Sequence, residues 1–464
     1  MREKHSFAGA IRRADGPSPL RYLPFPVPAG ARRIELSYHY EYDEGEKGYV
    51  DLGLFDARGA DFLTGGFRGW SGSARSGFFV ATGDATPGYI PGPLPPGEWN
   101  VMLGWPVRGP EVARYWVELN VDSDPNAPDP DPAPAVAQPR APTGGRGWYR
   151  GDFHSHTVHS DGYNSIDEYV VEAKRVGLGF LAITDHNTSS HFVEIARRGD
   201  DGLLLIPGEE VTTGWGHANV WGAGGWVDFR CDDDAGMQRI VDSVHERGGL
   251  FSPNHPKASA GYPWEFEHVR GYRVAETWQG PWRFHNAESL DFWEQRLRAG
   301  DQVVAVGGSD CHSIPPAVHL HPWTLGDPCT WVYADNLSEQ AVLDAVRAGH
   351  VFISEDPTGP FLEATATCAG RSYLMGDTIA APAGTPVEVR LRYRGPSGKK
   401  LRLLRDGELW RETIADGEDL ELAFELPLDA PGYLRAEAAG FRGRPERGEV
   451  VHALCNPFYL APEG

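Results

Sequence analysis

The sequence lacks any apolar run long enough to span a bilayer, and its first residues, MREKHSFAGAIRRADG, lack the apolar core of a secretory signal. Both absences make the cytoplasm the expected compartment, with no membrane partner. Cysteine is scarce: Cys231, Cys311, Cys329, Cys368 and Cys455 are scattered, odd in number and without a CxxC pair. That pattern reads as reduced thiols and excludes a disulfide framework. Basic charge is also short. The chain has 43 Lys and Arg against 65 Asp and Glu, a net charge of -22. A general binder of long nucleic acid or anionic membrane needs a basic face and is not expected. A small phosphorylated substrate held by metal ions remains compatible, because bound cations neutralise clustered carboxylates.

What is present supports several packed domains. Hydrophobic residues make up 41% of the 464 and charged residues 23%, a globular composition. Residues 1–124 alternate apolar and polar positions, as in Ile34–Tyr38, Tyr49–Leu54, Glu98–Leu103 and Tyr115–Leu119, with Gly/Pro turns between them. This spacing predicts a β-sandwich. Residues 125–147 are rich in Pro, Asp and Ala and read as a linker. From 148 to 357, short apolar strands alternate with amphipathic helices predicted at Ser165–Val176, Ala235–Arg247 and Ser338–Ala348. Repeated β-then-α units imply a parallel sheet, open or closed into a barrel. Residues 358–464 return to strands, as in Val387–Tyr393, and predict an immunoglobulin-like sandwich. A homo-oligomer is compatible with all of this.

The chemistry sits in the third segment. Asp152-Phe153-His154-Ser155-His156 is followed by Ser160-Asp161-Gly162. On a strand, His154 and His156 would face the same side and bind one cation. Thr184-Asp185-His186-Asn187 follows the apolar run Phe180–Ile183. Pro207-Gly208-Glu209-Glu210 follows Leu203–Ile206 and leads to His217 and Asn219. Asn254-His255-Pro256 and Ser309-Asp310-Cys311-His312 again stand just past apolar runs. In parallel α/β folds, functional groups gather at the carboxyl ends of strands. Each cluster alone has an ordinary structural explanation, such as a polar strand end or a solvated turn. Five together point to a metal site. Its mixed N and O donors suit Zn, Mn or Fe.

The ordered set HxH…SDG, TDHN, GEE, NHP and GSDCH resembles the PHP family, named for polymerase and histidinol phosphatase, over about Trp148–Ser354. The flanking β segments, Trp215-Gly216-His217 and the closing Asn456–Leu460, resemble the branch that includes carbaryl hydrolases. The resemblance implies a distorted seven-stranded (β/α) barrel and two or three divalent ions. By motif, His154, His156, Glu210 and Asp310 would hold the first ion. Glu210 would bridge to a second, bound by His255 and by His217 or its rival Asn219. Asp161, His186 and His312 would hold a third. Glu210 is preferred to Glu209 because the family Glu stands two positions after the Gly.

The expected activity is phosphomonoester or phosphodiester hydrolysis by a metal-activated hydroxide. No Ser or Cys nucleophile is required, and Cys311 reads as a small buried residue. His159 and Asn187 stand beside the motifs as proton-transfer or ligand-orienting groups. Lys257, Arg273 and Arg283 are candidates to grip a phosphate, though each taken singly reads more readily as an ordinary surface charge. Carbamate or carboxylic ester hydrolysis is the rival, favoured by the aromatics Tyr262, Trp264, Phe266, Trp278, Trp282 and Phe284, which line a pocket or, as is commoner for aromatics, pack a domain interface. A non-catalytic, metal-stabilised binding module is the third reading.

Overall fold

Alternation builds the first strands as expected. In Val112–Ser123 the residues Ala113, Tyr115, Val117, Leu119 and Val121 are buried and those between them face outward. The computed structural model describes the chain apart from residues 17–19, 44–47, 105–109, 125–141, 199–201, 262, 316–322, 442–447 and 464. Most of the linker segment, and Tyr262, therefore lie outside the described residues. Two four-stranded antiparallel sheets form the N-terminal region. One joins Arg2–Arg12, Val112–Ser123, Ala31–Glu41 and Gly77–Ala81; the other joins Leu20–Val27, Gly97–Gly104, Asp51–Phe55 and Phe67–Gly72. Ile34, Leu36, Trp99, Val101 and Val117 pack between them.

The central region is mixed α/β. Parallel pairing joins Gly147–Asp152 to Phe180–Ile183, Phe180–Ile183 to Leu204–Thr213, and Val274–Gln279 to Val304–Gly308. The expected parallel pairing is joined by antiparallel pairing, because the chain turns back on itself at Gly214. Leu204–Thr213 pairs antiparallel with Gly216–Trp221, which pairs antiparallel with Leu250–Pro253. Cys329–Ala334 also runs antiparallel to Gly147–Asp152. A hairpin needs only a tight turn, whereas a parallel return needs a crossover.

The predicted helices form where their caps stand. Ile166–Val176 opens on the Ser165/Glu168 capping box and closes on Gly177. Asp234–Glu246 opens on Asp233, and Glu339–Ala348 opens on Ser338 and closes on Gly349. Asn286–Arg298 and the short His191–Arg197 complete the α-helices among the described residues.

The C-terminal strands are not detached from this scaffold. Glu449–Cys455 pairs with Val351–Ser354, so one sheet runs from the central region into the C-terminal one. A second sheet, containing Phe361–Cys368, Pro386–Arg394 and Asp419–Pro427, covers it across Val389, Leu391, Leu403 and Ala453. The N-terminal region also packs on the centre. Phe67 stacks on Trp226 at 4.1 Å, and Phe55, Trp70 and Met102 share a core with Val211, Val227 and Val220.

Asn456 links strands that do not hydrogen-bond to each other. Its amide accepts from Ala305 N at 2.7 Å and donates to the carbonyls of Ala305 and Val351 at 2.9 and 3.0 Å. The strand it holds, Val304–Gly308, leads to Asp310 and His312. Asn456→Ala would leave buried backbone groups unpaired and is expected to cost about 3 kcal/mol, read as a lower midpoint in urea unfolding with unchanged m-value.

Candidate metal centre

Strand alternation chooses between the paired glutamates. Leu204–Thr213 runs on through Glu209 and Glu210 and does not end in a turn before them. Successive side chains therefore face opposite ways. Glu209 turns to Val227, accepting from its N–H at 2.9 Å, and burial holds its carboxyl well above the usual range. Glu210 faces a group of imidazoles. His186 Nδ1 lies 2.7 Å from its Oε2, His217 Nδ1 and His255 Nε2 each 3.3 Å from Oε1, and His154 and His156 at 3.5 Å.

His154 and His156 stand just past the strand Gly147–Asp152, not on it. Their Nε2 atoms are nevertheless only 3.0 Å apart, and Asp310 Oδ1 lies 3.3 and 3.0 Å from them. Gly308 makes this approach possible: a Cβ there would meet His154 Cβ at 2.4 Å. Asp185 braces the loop, accepting from Thr157 N, Thr157 Oγ1 and Ser160 Oγ at 2.7 Å each. Asp161 comes within 3.6 Å of His186 and 3.4 Å of His312. Thus the structure brings together four donor groups: His154, His156 and Glu210; His154, His255 and Asp310; Glu210, His217 and His255; and His156, Asp161, His186 and His312. Asn187, His255 and Asp310 hold φ values of 53°, 29° and 55°, a strained region for residues other than glycine.

The electrostatics are those of interlocked opposite charges. Burial disfavours charge on Glu210 and Asp310. Yet His154 beside both, with His186 and His217 near Glu210 and His312 near Asp310, holds both carboxyls well below the usual range. Burial likewise opposes a cationic His186, but Asp161 and Glu210 outweigh it and raise its pKa to about 9. His156 is pushed the other way, to about 3, by burial and by His186 and His312.

Several expected residues lie elsewhere. His159 contacts Ser190 at 2.8 Å and Glu194 at 3.1 Å, anchoring a helix instead of touching the donors. Asn187 exchanges two hydrogen bonds with the Thr212 backbone, fixing the loop after His186. Asn219 gives its amide N–H to the Phe153 carbonyl. Lys257 is buried and donates to the Gln279 carbonyl and side chain at 2.9 and 2.6 Å. Exposed Arg283 reaches the Gly448 carbonyl. Arg273 precedes the strand Val274–Gln279 and lines a separate cavity with Arg270, Arg296 and Arg347. Neither arginine faces the cluster. Trp264, Phe266 and Trp278 pack in the core, with Trp282 against Trp278, while Phe284 lies against Trp323. Cys311 is buried with its thiol pushed up to about 12, which removes it as a nucleophile.

Two buried partners, Glu276 and Gln279, escaped sequence reasoning, and a third, Asn254 of the Asn254-His255-Pro256 run, was given no role there. Glu276 lies 2.8 Å from His154 Nδ1 and accepts from His255 N at 3.0 Å. Asn254 donates to Glu210 Oε1 at 2.9 Å, and Gln279 donates to Asp310 Oδ2 at 3.0 Å. The available signal was a lone carboxylate in the otherwise uncharged strand Val274–Gln279. A cleft of about 800 Å³ opens on Asp161, His186 and His217, and its far wall comes from the N-terminal sandwich: Leu20, Tyr49, Asp51, Trp70 and Met102.

Residues 152–265 match the PHP domain family. Over 122 residues the chain is 40% identical to the 5'-3' exoribonuclease Rnm of Salmonella typhimurium, covering 25% of this chain and 40% of that protein. Over 68 residues it is 44% identical to the 5'-3' exoribonuclease Rnm of Escherichia coli, covering 14% of this chain and 23% of that protein. The chain thus matches less than half the length of either relative. Among solved structures, a two-domain protein from Bacteroides vulgatus, described as containing a predicted PHP-like metal-dependent phosphoesterase, aligns with a TM-score of 0.35 at 15% identity. That alignment covers 70% of this chain and 98% of the other. An amidohydrolase from Chromobacterium violaceum aligns with a TM-score of 0.27 at 15% identity, covering 37% of this chain and 90% of the other.

Two outcomes follow from this geometry. Glu276→Gln should weaken divalent-metal affinity about 10–100-fold, read by competition with a chromophoric chelator. Chelator-treated protein should also lose stability as pH rises. The folded pKa of His186, about 9, exceeds its unfolded value near 6.5, so its contribution is complete below that value and disappears through about pH 9. Thermal midpoints measured across that window check this.

Proposed function

We propose that this chain, which carries a PHP domain at residues 152–265, is a metal-dependent hydrolase of phosphomonoesters or phosphodiesters. The observation that carries the proposal is the facing pair of imidazole nitrogens. His154 Nε2 and His156 Nε2 face each other at 3.0 Å, with Asp310 Oδ1 3.3 and 3.0 Å from them and a Glu210 carboxylate oxygen 3.5 Å from each. Imidazole nitrogens and carboxylate oxygens gathered this closely around one point are an arrangement that a cation completes. The carboxylates of Asp310 and Glu210 complete an N/O donor set suited to Zn, Mn or Fe. The residues present therefore fit the ions.

In this reading His154, His156, Glu210 and Asp310 would hold one ion, and Glu210, His217 and His255 would hold a second. Asp161, His186 and His312 would hold a third. Such ions, when bound, lower the pKa of coordinated water and polarise a phosphoryl oxygen. The protein's own contribution is orientation. Glu276 sets the His154 tautomer, Asn254 aims Glu210, and Lys257 holds Gln279, which aims Asp310. Hydrolysis adds water across the P–O bond and releases the alcohol and phosphate. The mixed sheet with its separate parallel pair is read as a distorted seven-stranded barrel, flanked by sandwiches at 1–124 and 358–464.

Carbamate or carboxylic ester hydrolysis is the second reading, favoured by the apolar wall of Leu20, Trp70, Met102 and Phe229 along the cleft. RNA, the substrate class named for the Rnm relatives, suits this cleft less, because Asp15, Asp51 and Asp232 line it. A binding module has no need of so complete a donor set.

The test is hydrolysis by Mn- or Zn-loaded protein of p-nitrophenyl phosphate and its bis ester, against naphthyl methylcarbamate and naphthyl acetate. Phosphoester turnover should fall about a thousandfold or more in the doubly substituted His154→Ala, Asp310→Ala protein. Turnover confined to the carbamate or acetate would overturn the phosphoester reading.

A further inference from the structure

The cleft has two unlike halves. One presents Asp161, His186 and His217; the other is the wall supplied by the N-terminal sandwich. Among the described lining residues the one arginine or lysine is Arg230. All five of its N–H donors are committed. Two go to the Asp228 carboxylate at 2.8 and 2.6 Å, and the others to the Tyr22 hydroxyl and the Ala60 and Asp61 carbonyls at 2.7, 2.6 and 2.9 Å. A guanidinium with no donor left does not grip a phosphate. The carboxyls differ. Asp15 is paired with Arg21 at 3.0 Å, whereas Asp51 and Asp232 have no hydrogen bond or ion pair among the described residues. Asp51 is partly buried, and burial lifts its carboxyl to about 7, partly offset by His186. In the same wall Trp70 is only 8% exposed, and its indole N–H is buried without a partner. An unpaired, partly buried carboxylate in a wall that also holds the rings of Tyr49 and Trp70 marks a surface that a cation completes.

We infer that this wall is a leaving-group subsite for an alkylammonium, so that the substrate is a phosphoester of a cationic amino alcohol. The inference rests on the phosphoester reading above. The phosphate would lie at the histidine half of the cleft, and the cation would lie against Asp51 and the rings of Tyr49 and Trp70. Aromatic faces and an unpaired carboxylate both attract such a cation. A neutral alcohol would leave Asp51 desolvated with nothing in return. A second phosphate, as in a polynucleotide, would meet carboxylates and no free cation.

The test compares phosphocholine with its uncharged isostere, 3,3-dimethylbutyl phosphate, on metal-loaded full-length protein. The expected preference in kcat/KM is about tenfold or more for the cationic ester, falling to near unity in Asp51→Asn. Calorimetric titration of unloaded protein with choline and with 3,3-dimethylbutanol supplies a readout independent of turnover, and choline should bind more tightly. Trp70→Leu serves as the second variant and should also weaken choline. Hydrolysis of both esters without preference would overturn the subsite and leave the phosphoesterase standing. Choline binding that depends on Asp51, with neither ester hydrolysed, would support the subsite and overturn the phosphoester reading. A preference unchanged in Asp51→Asn would overturn the role of this wall.

Discussion

The structure depends on one buried carboxylate. Glu210 has no exposure to solvent, and an isolated charge there would cost several kcal/mol. It is tolerated because five histidines, brought from separate parts of the chain, surround it, and Asn254 donates to it. Removing it would leave those imidazoles packed against one another. A cluster of this kind is poor as a device for stability, since apolar residues would fill the same space at lower cost. Its cost is explained by an occupant that all the donors share.

The scaffold is arranged to hold that cluster at one end. Gly147–Asp152, Phe180–Ile183, Leu250–Pro253 and Val304–Gly308 each finish just before a donor. The hairpin after Leu204–Thr213 adds His217 by placing it opposite Thr212, two positions from Glu210. Asp152 supports two of these ends together, accepting from His154 N at 3.1 Å and Ser309 N at 2.9 Å. The N-terminal sandwich then closes the space above. Arg75 donates to the Val158 carbonyl at 2.5 Å and Thr188 to the Gly88 carbonyl at 2.8 Å, so the far wall of the cleft is tied to the loops carrying the donors.

Much of this was legible in the sequence. His154, His156, Asp161, His186, Glu210, His217, His255, Asp310 and His312 all fall in the cluster, because local spacing past apolar runs reports strand ends. The helices were legible from Ser165, Ser338 and Gly349, whose capping chemistry is local. What was not legible depends on distant parts of the chain. Glu276 meets His154 across 122 positions of sequence, and Asn456 reaches Ala305 across 151. The surroundings of Lys257, Arg273 and Arg283 were hidden for the same reason. A positive charge in sequence does not reveal that Gln279 or the Gly448 carbonyl already occupies it. The sandwich wall was equally hidden, since Asp51 and Trp70 carry no motif.

The central claim is that these donors converge on cations bridged by Glu210. Anomalous X-ray diffraction from crystals grown with Mn tests it most directly. The account predicts anomalous peaks within ligand distance of His154, His156, Asp310 and Glu210 and of Glu210, His217 and His255, with Glu210 touching both. Crystals of fully folded protein at saturating Mn with no peak beside Glu210, or with peaks only at surface carboxylates, would contradict it.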